Sequence, residues 1–310
     1  MTTTEQLYRN AAGLAEIGEV IQPDDAVYAG EIPMAALTEA DRLRLLAYPG
    51  SLARRVRRRS QTARLRVIYV VPDCATDEAA FEPGRPFNLT PRGRAYNRQP
   101  DPEAADPSRA HYWEALFDAH AEELKDSARS ADVEIVRASE LVNNSGFLSV
   151  LRLALRSPGQ IADAVRESNP AAEIDEKPLV FAGAACRECG SINGSTDYDP
   201  DWDRAQFECE DCDHSQEADI QEQPMWMQED VLRAATIAAL NPAVVIRRPA
   251  AKWDAREDLV DSLLMLAVGD GAQPPTRLMP PSLDSEQGGT PLKDLIRLAD
   301  DWDEDYAELP

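Results

Sequence analysis

The sequence predicts an α/β protein with a Rossmann-like parallel sheet, interrupted by a small cysteine-rich insertion. Residues 64–71 end in a continuous apolar run, as expected of a strand buried on both faces of a parallel sheet. Strand and helix patterns alternate around this run, which is typical of α/β folds. Two Cys-x2-Cys pairs then interrupt the alternation.

The elements of the first half follow from apolar periodicity and from Pro and Gly positions. Apolar residues on one helical face predict a helix over residues 3–21, which Pro23 ends. The elements predicted next are a strand over 27–30, a helix from 38 to beyond 49, the strand over 64–71, a surface loop over 72–110, a helix from 111 to about 132, a strand over 133–136 and a helix over 139–165.

The domain plan is two halves of one sheet separated by the insertion. We assign residues 1–176 to the first half, 177–222 to the insertion and 223–310 to the second half. The second half is predicted to contain helices over 231–240, 258–268 and 291–302, a strand over 244–246 and an acidic tail.

The insertion carries the sharpest motif of the chain. Cys186 and Cys189 form one pair, and after nineteen intervening residues Cys209 and Cys212 form the second. This spacing is typical of a tetrahedral Zn²⁺ site, and four thiolates leave no open position, so the zinc would be structural. Gly190 allows the left-handed backbone that such a turn often needs.

Other interpretations of these cysteines stay open at this stage. They could form two disulfides or be unrelated core thiols, and His214 could replace one thiolate. The fifth cysteine, Cys74, follows a predicted strand, where a structural thiol or a catalytic one could lie.

The charge balance limits the partners and the compartment. Asp and Glu number 56 against 32 Lys and Arg, of which only four are lysines, and the formal charge is −24. This balance suggests a protein kept soluble in a very salty cytoplasm, where molar salt screens repulsion and an RNA partner is not excluded. No stretch is long and apolar enough to span a bilayer, and no secretory signal opens the chain, so we expect a cytoplasmic protein without a membrane partner.

One basic run stands out in this acidic chain. It consists of Arg54, Arg55, Arg57, Arg58 and Arg59 at a predicted helix end. The run is either a solvated end whose cations suit the helix dipole or a phosphate or partner contact. His111 and His120 lie on opposite faces of one predicted helix without an evident ligand partner, and are expected to be surface or packing residues.

Several stretches together resemble a known family. They are residues 66–73, residues 133–141, and the cysteine-rich insertion with residues 217–220 and 224–225 after it. In this order they resemble the class I lysyl-tRNA synthetases found mainly in archaea. The resemblance implies a class I synthetase (HUP-type) sheet with an inserted zinc ribbon, ATP and lysine or tRNA as ligands, and Gly30, Asp73 and Lys252 as substrate or nucleotide contacts. Family members continue into anticodon-binding domains, which are not expected in these 310 residues.

The catalytic signatures of that family are altered here. Its His-Ile-Gly-Asn motif corresponds to Pro33, Met34, Ala35 and Ala36, and proline supplies no imidazole for phosphate. Its lysine-bearing loop corresponds to residues 282–288. Both lysine positions of the loop are lost, at Ser282 and Gln287, and Ser285 is a further position of this degenerate signature. Losing such cations costs on the order of 3 kcal/mol each in the transition state.

Three functions are therefore expected, in this order. The first is a binding or regulatory relative that does not aminoacylate, with structural zinc and with ATP disfavoured. The second is an active lysine-activating ligase, in which Lys252 and the arginine run would replace the missing cations. The third is a zinc-ribbon subunit that docks on a protein partner.

Overall fold

The computed structural model describes residues 11–12, 17–18, 21–23, 25–34, 37–76, 93–103, 108–129, 131–168, 180–248, 250–268, 275–278, 292–297 and 299. No helix within these ranges is both long and apolar enough to cross a membrane.

The described strands number eleven. In chain order they are β1 (Ala11–Ala12), β2 (Ala26–Glu31), β3 (Leu65–Val71), β4 (Ala131–Arg137), β5 (Ala182–Ala184), β6 (Gly194–Asp199), β7 (Arg204–Cys209), β8 (Ser215–Asp219), β9 (Met225–Met227), β10 (Val244–Ile246) and β11 (Thr276–Leu278).

The longer helical elements of the described ranges are six. They are α1, made of Glu39–Arg42, the π-helical turn Leu43–Ala47 and Tyr48–Arg59, followed by α2 (Arg109–Ala128), α3 (Ser145–Arg156), α4 (Pro158–Ser168), α5 (Glu229–Leu240) and α6 (Ala250–Val268). Short 3-10 turns cover Tyr96–Arg98 and Ala138–Leu141, and residues 292–297 are helical.

The main sheet has the order β1-β11-β10-β2-β3-β4, and every neighbouring pair is parallel. Five of its strands have three or more residues, while the edge strand β1 has two. Counted from β2, the five strands follow the order 3-2-1-4-5, which makes the protein a Rossmann-like α/β fold. Chain order reverses between β2 and β10, and this switch point is where such folds generally bind ligands, at the carboxyl ends of the strands.

The predicted strands are confirmed in this sheet. Those predicted over 27–30, 64–71, 133–136 and 244–246 correspond to β2, β3, β4 and β10. In β3 every side chain except Arg66 is buried, which fits a strand covered on both faces. The predicted loop over 72–110 contains, in its described part, one short 3-10 turn and the first two residues of α2.

Two helix predictions need correction. The helix expected over 3–21 is wrong at Ala11–Ala12, whose backbone pairs in parallel with Arg277 and Leu278 of β11, while residues 17 and 18 are helical. The helix expected over 139–165 is two helices, because α3 ends at Arg156 and Pro158 begins α4. Proline lacks the amide hydrogen that a continuous helix needs but suits a first helical position.

Two paired strands, β5 and β9, connect the insertion to the Rossmann-like domain. β5 pairs antiparallel with β9, from Ala182 opposite Met227 to Ala184 opposite Met225. Between them, β6, β7 and β8 form an antiparallel sheet. Inward-facing side chains alternate with exposed ones along β7 and β8, so this sheet has one covered and one solvent-facing side. We call residues 182–227 the four-cysteine module.

Candidate metal centre and the polar network at the sheet edge

The four cysteines of the two motifs converge in the four-cysteine module. The Sγ atoms of Cys186, Cys189, Cys209 and Cys212 all lie within 4.8 Å of one another. The Cys186–Cys212 and Cys189–Cys209 sulfur pairs are each 3.6 Å apart. A disulfide requires about 2.05 Å, whereas four sulfurs at about 2.3 Å from one tetrahedral ion lie roughly 3.8 Å apart. The sulfur positions therefore fit a metal site and not the disulfide alternative.

The two turns that carry the cysteines have the same backbone construction. The Gly190 N–H donates to the Cys186 carbonyl at 2.9 Å, and the Asp213 N–H donates to the Cys209 carbonyl at 3.1 Å. Both Gly190 (φ 74°) and Asp213 (φ 57°) have left-handed backbone conformations. The prediction for Gly190 is confirmed.

Second-layer contacts hold the two turns together. The carboxylate of Asp211, inside the second motif, accepts hydrogen bonds from the Ser191 hydroxyl and the Asn193 amide, which follow the first motif. The Asn193 side-chain oxygen in turn accepts from the Gly93 N–H at 2.8 Å. These contacts, which the sequence reasoning did not find, bind the module to the loop before α2 and orient the thiol groups.

His214 does not join the sulfur cluster of the described residues. Its backbone carbonyl instead accepts a hydrogen bond from the Cys209 N–H at 3.0 Å. The donor set is therefore four sulfurs, which suits a soft or borderline ion such as Zn²⁺.

The second candidate site is the carboxyl edge of the sheet at the switch point. Gly30, near the end of β2, has a φ of 136°. A Cβ there would lie 2.9 Å from Nη1 of Arg44, which the π-helical turn of α1 brings to this edge. Only glycine allows this backbone and this approach without strain. Gly30 thus serves an internal contact at the position where the family resemblance implies nucleotide.

Glu31, the next residue, begins a buried network of charged side chains. Its carboxylate accepts from the Tyr28 hydroxyl at 2.5 Å and pairs with Arg233 of α5 at 2.6 Å and Arg248 at 3.4 Å. Burial alone would raise the pKa of Glu31, but the guanidinium groups of Arg233 and Arg248 offset it and hold the pKa at about 2. Glu31 is therefore ionised at neutral pH.

The network continues across α5 and α6. Arg233 is fully buried and also lies 3.2 Å from Glu257. Arg248 contacts Glu229 at 2.5 Å, and Arg256 contacts Asp230 at 2.8 Å. We call the set the switch-point network. Its members are Glu31, Glu229, Asp230, Arg233, Arg248, Arg256 and Glu257.

The network was missed by the sequence reasoning, although two signals pointed to it. Arg233 interrupts an otherwise apolar helix stretch, and Arg247-Arg248 follows a buried strand at its carboxyl end. Both are positions where charge is costly unless it is paired or used.

Asp73, a predicted ligand contact, is buried and hydrogen-bonded to Ser139. It follows β3, is 2% exposed, and accepts the Ser139 N–H at 2.9 Å and the Ser139 hydroxyl at 2.5 Å. Burial raises its pKa, and the Ser139 hydrogen bonds partly offset this. Asp73 therefore joins the end of β3 to the segment after β4.

Other predicted site residues are only partly described. Pro33 is half-buried just after β2, and Lys252 lies in α6, with its side chain outside the described residues. The remaining altered signature positions lie outside them altogether: Ala35, Ala36, Ser282, Ser285 and Gln287.

The basic run forms the last turns of α1 and lies at the amino ends of the sheet strands, opposite their carboxyl ends. Arg57 donates to the carbonyl of Arg129, just before β4, and Arg59 donates to that of Ile21, before β2. Arg54 donates to the Ile296 carbonyl at 3.4 Å, and Arg57, Arg58 and Arg59 are exposed. Because α1 runs antiparallel to the strands, its last turn lies at their amino ends, away from Gly30. The side chain of Arg55 packs against Gly18.

The remaining singled-out residues have local partners. Cys74 is 5% exposed, and burial followed by the Asp73 charge raises its pKa well above the usual value, which suits a structural thiol. In α2, a ring nitrogen of His111 lies 2.6 Å from Arg137. The ring of His120 packs near Phe117, and burial lowers its pKa.

Comparison with known proteins adds no assignment. The sequence matches no protein-family model and is similar to no curated protein.

Proposed function

We propose that the chain is a binding or regulatory relative of the class I lysyl-tRNA synthetases that does not aminoacylate. In this proposal the Rossmann-like domain is of the HUP type and the four-cysteine module is a zinc ribbon. The observation that carries the proposal is the switch-point network. The members of this network at the edge are already paired with one another, while Nη1 of the buried Arg44 beside Gly30 has no hydrogen-bond partner among the described residues.

The energetics favour the closed network over nucleotide binding. Removing one partner from a buried ion pair costs about 3–5 kcal/mol. A ligand that binds with a millimolar dissociation constant gains about 4 kcal/mol. Opening a single pair, such as Arg233 with Glu31, would therefore consume the whole gain. The phosphates would also lie beside Glu31, which is ionised because its pKa is held at about 2.

The zinc in this proposal is structural. Four sulfurs bound to one ion would close its coordination sphere, so no position would be left for water or substrate. The residues that would hold the ion are Cys186, Cys189, Cys209 and Cys212, and its contribution is to the folding of the module.

The lysine-activating alternative lacks the arginine run at the required edge, where the arginines present are paired with acidic residues of the network. It needs the arginine run to replace the lost lysines, but Arg57 and Arg59 are bonded to backbone carbonyls that precede β4 and β2.

The test is lysine-dependent exchange of pyrophosphate into ATP in molar KCl. An active class I lysyl-tRNA synthetase assayed in the same buffer is the positive control. We expect no exchange and no heat of ATP binding at millimolar concentration. Exchange above the no-enzyme rate would refute the proposal. A thermal-shift series with lysine and with tRNA then identifies a retained ligand, because any ligand that binds only the folded state raises the midpoint.

A further inference from the structure

Trp202 is the most exposed large apolar residue of the described chain. It lies in the turn between β6 and β7 of the four-cysteine module, and 75% of its surface is accessible. A single exposed apolar side chain is ordinary on protein surfaces. Trp202 differs from such a side chain in two respects: its turn is held by hydrogen bonds, and an acidic groove lies beside it.

The turn that presents Trp202 is held in place from both sides. A side-chain oxygen of Asp199 accepts the Asp201 N–H at 2.9 Å and the Trp202 N–H at 3.4 Å. Asp203 accepts the Tyr198 hydroxyl at 2.6 Å and pairs through two nitrogens with Arg152 of α3, the shorter contact being 2.6 Å. The turn is thus braced against the Rossmann-like domain, and a ligand would not need to order it.

A groove of about 790 Å³ lies beside this turn on the solvent-facing side of β6–β8. Its lining includes Trp202, Asp197, Asp199, Glu217 and Arg204. Arg204 is the only cation of that lining, and it pairs with Glu217 at 2.8 Å and with Asp219 at 3.4 Å. The groove therefore combines an open indole face with a net excess of carboxylates, and has room for several side chains.

We propose that this groove docks a basic, arginine-containing segment of a partner protein. A guanidinium group would stack on the indole of Trp202 and donate to the neighbouring carboxylates. The carboxylates oppose a phosphate-bearing partner such as RNA. In molar salt the screening length is about 3 Å, so the stacking contact, and not long-range attraction, selects the ligand. Arginine suits it better than lysine because its planar guanidinium stacks and is less strongly hydrated.

This inference is independent of the proposed function at the switch point. The groove uses the outer side of the four-cysteine module, and none of its lining residues belongs to the switch-point network. Pyrophosphate exchange and peptide binding can therefore succeed or fail separately.

The test measures binding of a fluorescently labelled peptide of alternating arginine and glycine by anisotropy in molar KCl. Comparison probes are the lysine–glycine and glutamate–glycine peptides and a single-stranded RNA. We expect the arginine peptide to bind most tightly, the lysine peptide more weakly, and the other two not to bind. Trp202→Ala should weaken arginine-peptide binding about tenfold, equivalent to about 1.4 kcal/mol.

Leu266→Ala is the matched control, since Leu266 is an exposed apolar residue (46%) on α6, outside the groove lining. It should bind as the wild type does. Trp202→Phe keeps a smaller aromatic face and should give an intermediate affinity. This graded result would show that the weaker binding of the alanine variant comes from the lost aromatic face and not from misfolding. Equal binding by wild type and Trp202→Ala, tighter binding of RNA than of the arginine peptide, or no binding to the wild type would each overturn the proposal.

Discussion

Replacing Arg233 with Met tests whether the switch-point network holds the two halves of the sheet together. The guanidinium is fully buried between Glu31 of β2 and Glu257 of α6, at 2.6 and 3.2 Å. Methionine fills much of the space without charge, so the variant leaves two buried carboxylates short of a partner. Breaking a buried pair in this way costs about 3–5 kcal/mol.

The lowered pKa of Glu31 gives a second figure for the stabilisation by its partners, Arg233 and Arg248 together. It is held at about 2 against the ordinary value of 4.5. At about 1.36 kcal/mol per pH unit, this displacement corresponds to about 3 kcal/mol of stabilisation of the folded state. Because the folded pKa is the lower one, this contribution is complete above pH 4.5 and is lost as the pH falls from 4.5 to 2. In Arg233→Met one of the two guanidinium groups that offset the burial of Glu31 is gone, so the pKa of Glu31 rises toward its ordinary value. The variant therefore loses less stability than the wild type does as the pH falls from 4.5 to 2.

The assay is urea unfolding in molar KCl, followed by circular dichroism at pH 7 and pH 3. At pH 7 we expect Arg233→Met to be destabilised by about 3–5 kcal/mol, and the difference from wild type to shrink at pH 3. The control is Arg166→Met, which breaks an exposed pair with Asp163 and should cost no more than about 1 kcal/mol.

A double variant separates the pair from the loss of packing. Glu31→Gln combined with Arg233→Met removes the charge at β2 that has lost its shortest ion pair and should recover roughly half of the loss, since Glu257 has also lost its contact with Arg233. Equal destabilisation of Arg233→Met and Arg166→Met, or no recovery in the double variant, would show that the network does not carry the stability assigned to it.

Two further predictions concern the glycine and the cysteines. Gly30→Ala should lower the free energy of unfolding by about 1–3 kcal/mol, because its φ of 136° and the Arg44 nitrogen 2.9 Å from the new Cβ both oppose a side chain. The control is Gly159→Ala, where nothing lies within 4 Å of the new Cβ. Equal stability of the two variants would refute the argument. The purified protein should contain one zinc per chain by elemental mass spectrometry. The zinc should be lost in Cys209→Ser and kept in Cys74→Ser, since Cys74 lies outside the sulfur cluster. A metal-free wild type with a normally folded module would contradict the zinc assignment.

The sequence was informative where the pattern is local. The apolar run of β3 and the paired cysteines each specify their own environment, because burial on both faces or metal ligation needs particular residues at short spacing. The edge strand β1 could not be found in this way. Its two residues pair with β11, which lies near the other end of the chain, while the local apolar spacing favoured a helix.

The charged network was out of reach for the same reason. Glu31 and Arg233 are about 200 positions apart and meet only when the sheet order brings β2 beside β10. Seen locally, Glu31 marks the end of a strand and Arg233 is an isolated charge in an apolar helix. The topology of the sheet, which the sequence predicts only in general, makes them neighbours.

The place of this network bears on how the altered signatures are interpreted. Buried ion pairs are often no more stabilising than well-packed apolar residues, so stability alone gives little reason to keep seven charged groups inside one edge. A polar edge at the switch point is expected where a sheet binds ligands. In this chain the edge is lined with charged groups, and Glu31 and Glu257 pair with the arginines there. The pairing of these charges with one another supports our proposal of a chain that does not aminoacylate, and the exposed Trp202 of the four-cysteine module is the separate surface that we propose for an external partner.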